Sequence, residues 1–170
     1  MNGLTNFSIP TRGSSLIETV IAMGVLAVAI PLVFGALAES GKSTISSEAE
    51  TRSTWIVPVC MAEILASRGG RPQFFSTTKA GEVFPPSSEV WAIAFTSEGR
   101  PVGKLSKEVY TNGSRELNGQ PISYIATINA NTTPTPTGAV PMLRAKITLE
   151  FPAAVPATRR QKLDFYSRIP

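Results

Sequence analysis

The sequence predicts an α+β protein, one long N-terminal helix packed on a small antiparallel β-sheet domain. Three observations carry this expectation. Val20–Ala38 runs for nineteen residues without a formal charge, which suits a helix across a bilayer, where about 20 apolar residues are needed. Ile45, Ala49, Ile56, Cys60 and Ile64 recur at spacings near three, four or seven, a one-sided apolar stripe on a helix. From Met142 to Phe151, Leu143, Ala145, Ile147, Leu149 and Phe151 alternate with Arg144, Lys146, Thr148 and Glu150. That period of two is the mark of a strand with one face buried and one wet.

The elements follow in order. Residues 1–13, with Asn2, Asn6, Pro10 and Arg12, are polar and have the character of a targeting leader rather than of a folded element. Residues 14–40 form the expected transmembrane helix. Gly24 and Gly35 are small enough to let membrane helices approach closely. Pro31 is either a tolerated membrane proline or a built-in bend, because neighbouring groups can compensate its missing amide. Glu18 stands at the mouth of the apolar run. An ionised acid drawn into the bilayer interior costs on the order of a few kcal/mol, so its presence implies a partner cation.

Charges return in residues 41–67, where the amphipathic continuation of the helix lays its stripe on the domain that follows. A helix from Ser14 to Ser67 would be about 80 Å long. Pro58 predicts a kink or break near Val57. Gly69-Gly70 followed by Pro72 is the stop. Residues 68–170 then make a β-rich globular domain, beginning with a Gly/Pro-rich loop to residue 88. Strands are expected over Val90–Thr96, more weakly over Val102–Tyr110, then over Ile122–Ile128, Met142–Phe151 and Lys162–Ile169. Asn112-Gly113 and Asn118-Gly119 are turn signals, and Asn131–Pro141 is a Thr/Pro loop.

Composition narrows the chemistry. Among 170 residues there is no histidine, so the commonest general base and a leading metal ligand are missing. No phosphate-cradling glycine motif and no metal-ligand spacing is present. The serines at 14, 15, 43, 46, 47 and 53 have no histidine to activate them, and Glu48 and Glu50, two apart on a helix, face different ways. No catalytic residue, metal or cofactor is therefore assigned, and the chain is not expected to be an enzyme. Cys60 stands alone between Val59 and Met61, a small buried hydrophobe rather than half of a disulfide. Trp55 and Trp91 are expected in the core. The net charge of +4 falls to +3 without the leader's Arg12, and the basic residues are scattered apart from Arg159, Arg160 and Lys162. Nucleic acid is not an expected partner.

Arg12-Gly13-Ser14-Ser15-Leu16-Ile17-Glu18 resembles the leader junction of type IV prepilins and pseudopilins. The resemblance covers residues 12 to about 40. It implies cleavage by a prepilin peptidase between Gly13 and Ser14, N-methylation of Ser14, and Glu18 as the fifth mature residue, where the family usually has glutamate. Leu16-Ile17-Glu18 matches the family's core, while Ser14 stands where Phe is common. The resemblance further implies a pilin-like fold, Glu18 as the residue that sets assembly register, and a minor pilin or pseudopilin role in a type IV pilus or type II secretion-like filament. The partners would be other pilin or pseudopilin subunits, the peptidase, an inner-membrane assembly platform and membrane lipid. The chain would be single-pass in the inner membrane, with its C-terminal domain on the periplasmic side. Ser-Leu-Ile-Glu-Thr-Val and the Glu48–Arg52 segment also look like the prepilin-like cassette protein B group of the Verrucomicrobia.

Two other functions stay open from the residues. One is a single-pass anchored binding domain outside any filament. The other is an exported soluble protein cut after Ala38, where Ala36-Leu37-Ala38 offers a small-x-small site.

Overall fold

A helix of 53 residues, α1 (Leu16–Arg68), opens the described part of the chain. The computed structural model describes residues 16–77, 85, 89–132 and 143–169. The leader, with Gly13 and Ser14, lies outside the described residues, as does most of the Thr/Pro loop expected over Asn131–Pro141, whereas Asn131 and Thr132 belong to a strand rather than to that loop. The chain divides into two units, Met1–Ile45 and Ser46–Pro170.

In the first unit α1 is solvent-facing along its apolar stretch, and it continues through Pro31. In the second unit α1 packs on an antiparallel sheet, as the stripe predicted. Ala49, Ile56, Cys60 and Ile64 are all fully buried, whereas Ile45 is half exposed, so the stripe begins one turn later than its sequence pattern suggested. The helix is also unbroken at Pro58. A proline in a helix interior costs roughly 3 kcal/mol. Ile56 and Ile64 flank it in the core and each contributes about 1.5–3 kcal/mol on burial, which offsets that cost. The stop falls where expected: α1 ends at Arg68, and the Arg71 N–H closes back onto the Ala66 carbonyl at 2.9 Å.

The other described elements are β1 (Ala92–Phe95), β2 (Pro101–Lys104), α2 (Lys107–Asn112), β3 (Glu116–Leu117), β4 (Gln120–Pro121), β5 (Tyr124–Thr132), β6 (Leu143–Phe151), a 3-10 turn (Ala157–Arg159) and β7 (Gln161–Ile169). Five of these strands form one antiparallel sheet in the order β2-β1-β5-β6-β7, and β3 pairs with β4 in a small hairpin. Asn118 (φ 52°) and Gly119 (φ 75°) form that hairpin's two-residue loop. Both sit in the left-handed region, which Asn-Gly tolerates and most residues do not.

One expectation is corrected here. Residues 102–110 are not a continuous strand: β2 ends at Lys104 and residues 107–112 are helical. Ser106 decides it, since its hydroxyl accepts the Val109 N–H at 3.3 Å and caps α2. The Asn112-Gly113 signal accordingly marks the end of α2, with the Gly113 N–H on the Val109 carbonyl.

The sheet is covered on both faces. Leu143, Ala145, Ile147, Leu149 and Phe151 of β6 join Ile93, Phe95, Ala126 and Ile128 against α1. Ala92, Ala94, Leu105, Ile122, Ile125 and Ala153 form a smaller cluster on the other side, flanked by Val109 and Tyr110 of α2. That second layer changes the wet face of β6. Arg144 is exposed and Lys146 partly so, but Thr148 and Glu150 are buried.

The aromatics divide. Trp91 is buried and stacks on Phe75 with ring centroids 4.5 Å apart and planes 2° from parallel. Trp55 is 67% exposed, contrary to the core placement expected for it, because it falls between the stripe positions 53 and 56 on the outer side of α1. Cys60 is fully buried, and burial, helped by Glu63, pushes its thiol from 9.0 up to about 12. A raised value means stability is complete below pH 9.0 and is lost as pH climbs through about 12. Cys60 in the native full-length chain is therefore expected to resist a thiol reagent at pH 8 and to react fully once denatured. Rapid native labelling would contradict its burial.

Candidate functional site

Among the described residues, two buried polar networks and one exposed apolar helix stand out. The first is a carboxylate staple at the end of α1. Glu63 is 4% exposed and accepts three backbone N–H groups from the following loop: Gln73 at 3.1 Å, Phe74 at 2.7 Å and Phe75 at 3.0 Å. Ser67 donates to the Ser76 carbonyl at 2.6 Å. Positions 49, 53, 56, 60, 63 and 67 share the buried face, so the heptad spacing held a signal for Glu63 and Ser67 that their polarity obscured. The staple fixes Phe75 beneath Trp91 and is structural.

The second is a buried ion pair on the far side of the sheet. Arg160 Nη1 lies 3.0 Å from Glu150 Oε2, and both side chains are essentially inaccessible. Arg160 Nε donates to the Val155 carbonyl at 2.9 Å, and Nη2 donates to the Tyr110 carbonyl. Glu150 Oε1 accepts the Tyr110 hydroxyl at 2.9 Å and pairs with Lys162 at 3.3 Å. Burial and the Glu150 carboxylate raise the Tyr110 phenol from 10.0 to about 12. Each of these polar groups already has a protein partner, and the network ties α2 and the 3-10 turn to β6. Sequence reasoning missed it. Glu150 belonged to the alternation's wet face, and Arg160 looked like one of a surface basic pair.

The third is the apolar helix of the first unit. Leu16, Val20, Ile21, Met23, Val25, Leu26, Val28 and Phe34 are 55–83% exposed. Successive residues of a helix point about 100° apart, so these exposures cover every side. An all-round apolar helix belongs inside a protein core or a membrane, and this one has no cover from the described residues: its most apolar 18-residue window has a mean hydropathy of 2.6 and is 0% buried. Among the described residues there is thus one helix long and apolar enough to cross a membrane. A Cβ built on Gly24 or Gly35 would meet nothing within 4 Å, leaving open shallow faces on the helix.

Glu18 lies in the first turn of α1 and is exposed. A carboxylate there is favoured by the helix dipole, by about 0.3–1 kcal/mol. The ten Val, Ile, Leu and Phe residues from Val20 to Leu37 favour insertion by roughly 0.3–0.6 kcal/mol each. Their sum of about 3–6 kcal/mol is comparable with or larger than the cost of about 2.5–3.5 kcal/mol for an acid even at mid-bilayer. Glu18 at the helix end therefore does not prevent insertion. Of the sequence-assigned site residues, Glu18 is placed in this way, whereas Gly13 and Ser14 lie outside the described residues. Glu48 and Glu50 are exposed, and among the described residues no group of three His, Cys, Asp or Glu side chains could hold a metal ion.

No protein-family model, curated protein or solved structure matches this chain.

Proposed function

We propose that the chain is a membrane-anchored structural subunit, a minor pilin or pseudopilin that joins a helical filament through its N-terminal helix. The observation that carries this reading is the apolar surface of α1 from Leu16 to Leu37, exposed on every side, with an acid in its first turn. Lipid can cover such a surface before assembly, and the same helix of neighbouring subunits can cover it afterwards. Cleavage between Gly13 and Ser14 would free an α-amino group, protonated near neutral pH. That amine would sit beside Glu18 of the adjoining subunit, and each charge would remove the penalty on the other. The β-sheet domain would stand outside the inner membrane, on the periplasmic side, and the leader with Arg12 would remain in the cytoplasm.

Sequencing the mature N-terminus of the native protein tests this. A chain beginning at Ser14, with or without a methyl group, is the expected result. A chain beginning at Met1 would point to a simple anchored domain, and one beginning at Glu39 to an exported soluble protein. Either would overturn the assignment.

A further inference from the structure

Independently of the helix, the outer face of the sheet holds an unbalanced pair of charges. Arg144 of β6 and Arg168 of β7 are directly opposite each other in the strand register, and both side chains are exposed. Opposed side chains have Cβ atoms about 4.5–5.5 Å apart, and like charges in that relation destabilise the sheet. The remaining cations on this face each have a carboxylate partner. Lys146 pairs with Asp164 at 2.9 Å, while Lys162 and Arg160 both pair with Glu150. Asp164 is committed further by the Thr148 hydroxyl at 2.7 Å, which together with Lys146 holds its carboxyl below the ordinary range. Among the described residues no carboxylate lies within 4.0 Å of either Arg144 or Arg168.

The same two arginines line one recess of about 270 Å³, together with Ala145, Tyr166 and Ser167. That volume is below the roughly 300–1,000 Å³ of sites for drug-sized ligands and suits a small ion or a single head group. Both arginines border it, and a guanidinium group can offer paired N–H donors to a tetrahedral oxyanion. Asn131 of β5 stands next in the same row, opposite Arg144, and is exposed.

We propose that Arg144 and Arg168 form a binding site for a phosphate group, supplied either by free phosphate or by an anionic lipid head group. The bound anion removes the repulsion that the register imposes.

The test uses the full-length chain in uncharged detergent micelles. Inorganic phosphate is titrated calorimetrically against a chloride control of equal ionic strength, and phosphatidylglycerol-doped micelles are compared with phosphatidylcholine-doped ones. Saturable binding of phosphate or of phosphatidylglycerol is expected, weakened at least about tenfold by Arg144→Gln or Arg168→Gln and unchanged by Lys107→Gln on α2. Binding in the first arm names free phosphate as the source, and binding in the second arm alone names the lipid. In the absence of either, both arginine variants should melt at or above the parent's temperature. Phosphate and chloride acting alike together with indifference to phosphatidylglycerol, binding unaffected by the arginine variants, or arginine variants that melt well below the parent would each overturn the proposal.

Discussion

Arg160→Ala is expected to destabilise the β-sheet unit by about 3 kcal/mol, toward the lower end of the roughly 3–5 kcal/mol that follows removal of one partner from a buried ion pair. The substitution strips the Val155 and Tyr110 carbonyls of a donor and takes the closest cation from Glu150, whose side chain is 1% exposed. Lys162 at 3.3 Å and the Tyr110 hydroxyl remain on Glu150 and soften the loss. A domain with a total stability of about 5–15 kcal/mol would lose a substantial part of it. The double variant Arg160→Met/Glu150→Leu should recover much of the difference, because the pair's desolvation cost disappears along with its attraction. Denaturant unfolding of the full chain in micelles, followed through the fluorescence of buried Trp91, measures both. A loss below about 1 kcal/mol in the single variant would show that the network contributes little to stability.

Glu18→Ala is expected to leave membrane insertion unchanged and to reduce incorporation into filaments at least about tenfold. Insertion rests on the exposed apolar residues from Val20 to Leu37, none of which the substitution touches. Assembly in the proposed arrangement rests on a carboxylate meeting the amine of an incoming subunit. At a separation of about 4 Å and an effective dielectric near 20, that attraction is about 4 kcal/mol. Retaining a third of it after desolvation still corresponds to a factor of about ten. Membrane fractionation reads the first quantity and cross-linked or sheared filament yield reads the second. Normal assembly of the alanine variant would sink the register mechanism while leaving the anchor itself in place.

Periodicity made α1 and β6 legible from the sequence. The period of two in Met142–Phe151 placed β6 within one residue, and the stripe at Ala49, Ile56, Cys60 and Ile64 named the face of α1 that the sheet covers. Local signals failed where a short-range bond or a distant layer intervened. The weak strand expected through Tyr110 yielded to the cap supplied by Ser106, and the wet face of β6 was covered at Glu150 by Tyr110 of α2 and by Arg160. Trp55 was assigned to the core on the character of its neighbours, although its angular position on α1 pointed it to solvent.

The linear chain by itself determined the apolar helix, the acid at its mouth and the α+β class. These depend on composition and spacing along a single element, and such short-range order survives without knowledge of what folds against it. Only the tertiary structure decided that Glu150 and Arg160 are buried together, that Glu63 holds the loop at Gln73–Phe75, and that Arg144 faces Arg168. Each of those joins residues whose meeting depends on strand order, register or chain reversal, and a charged side chain has the same letter whether it ends in water or in the core.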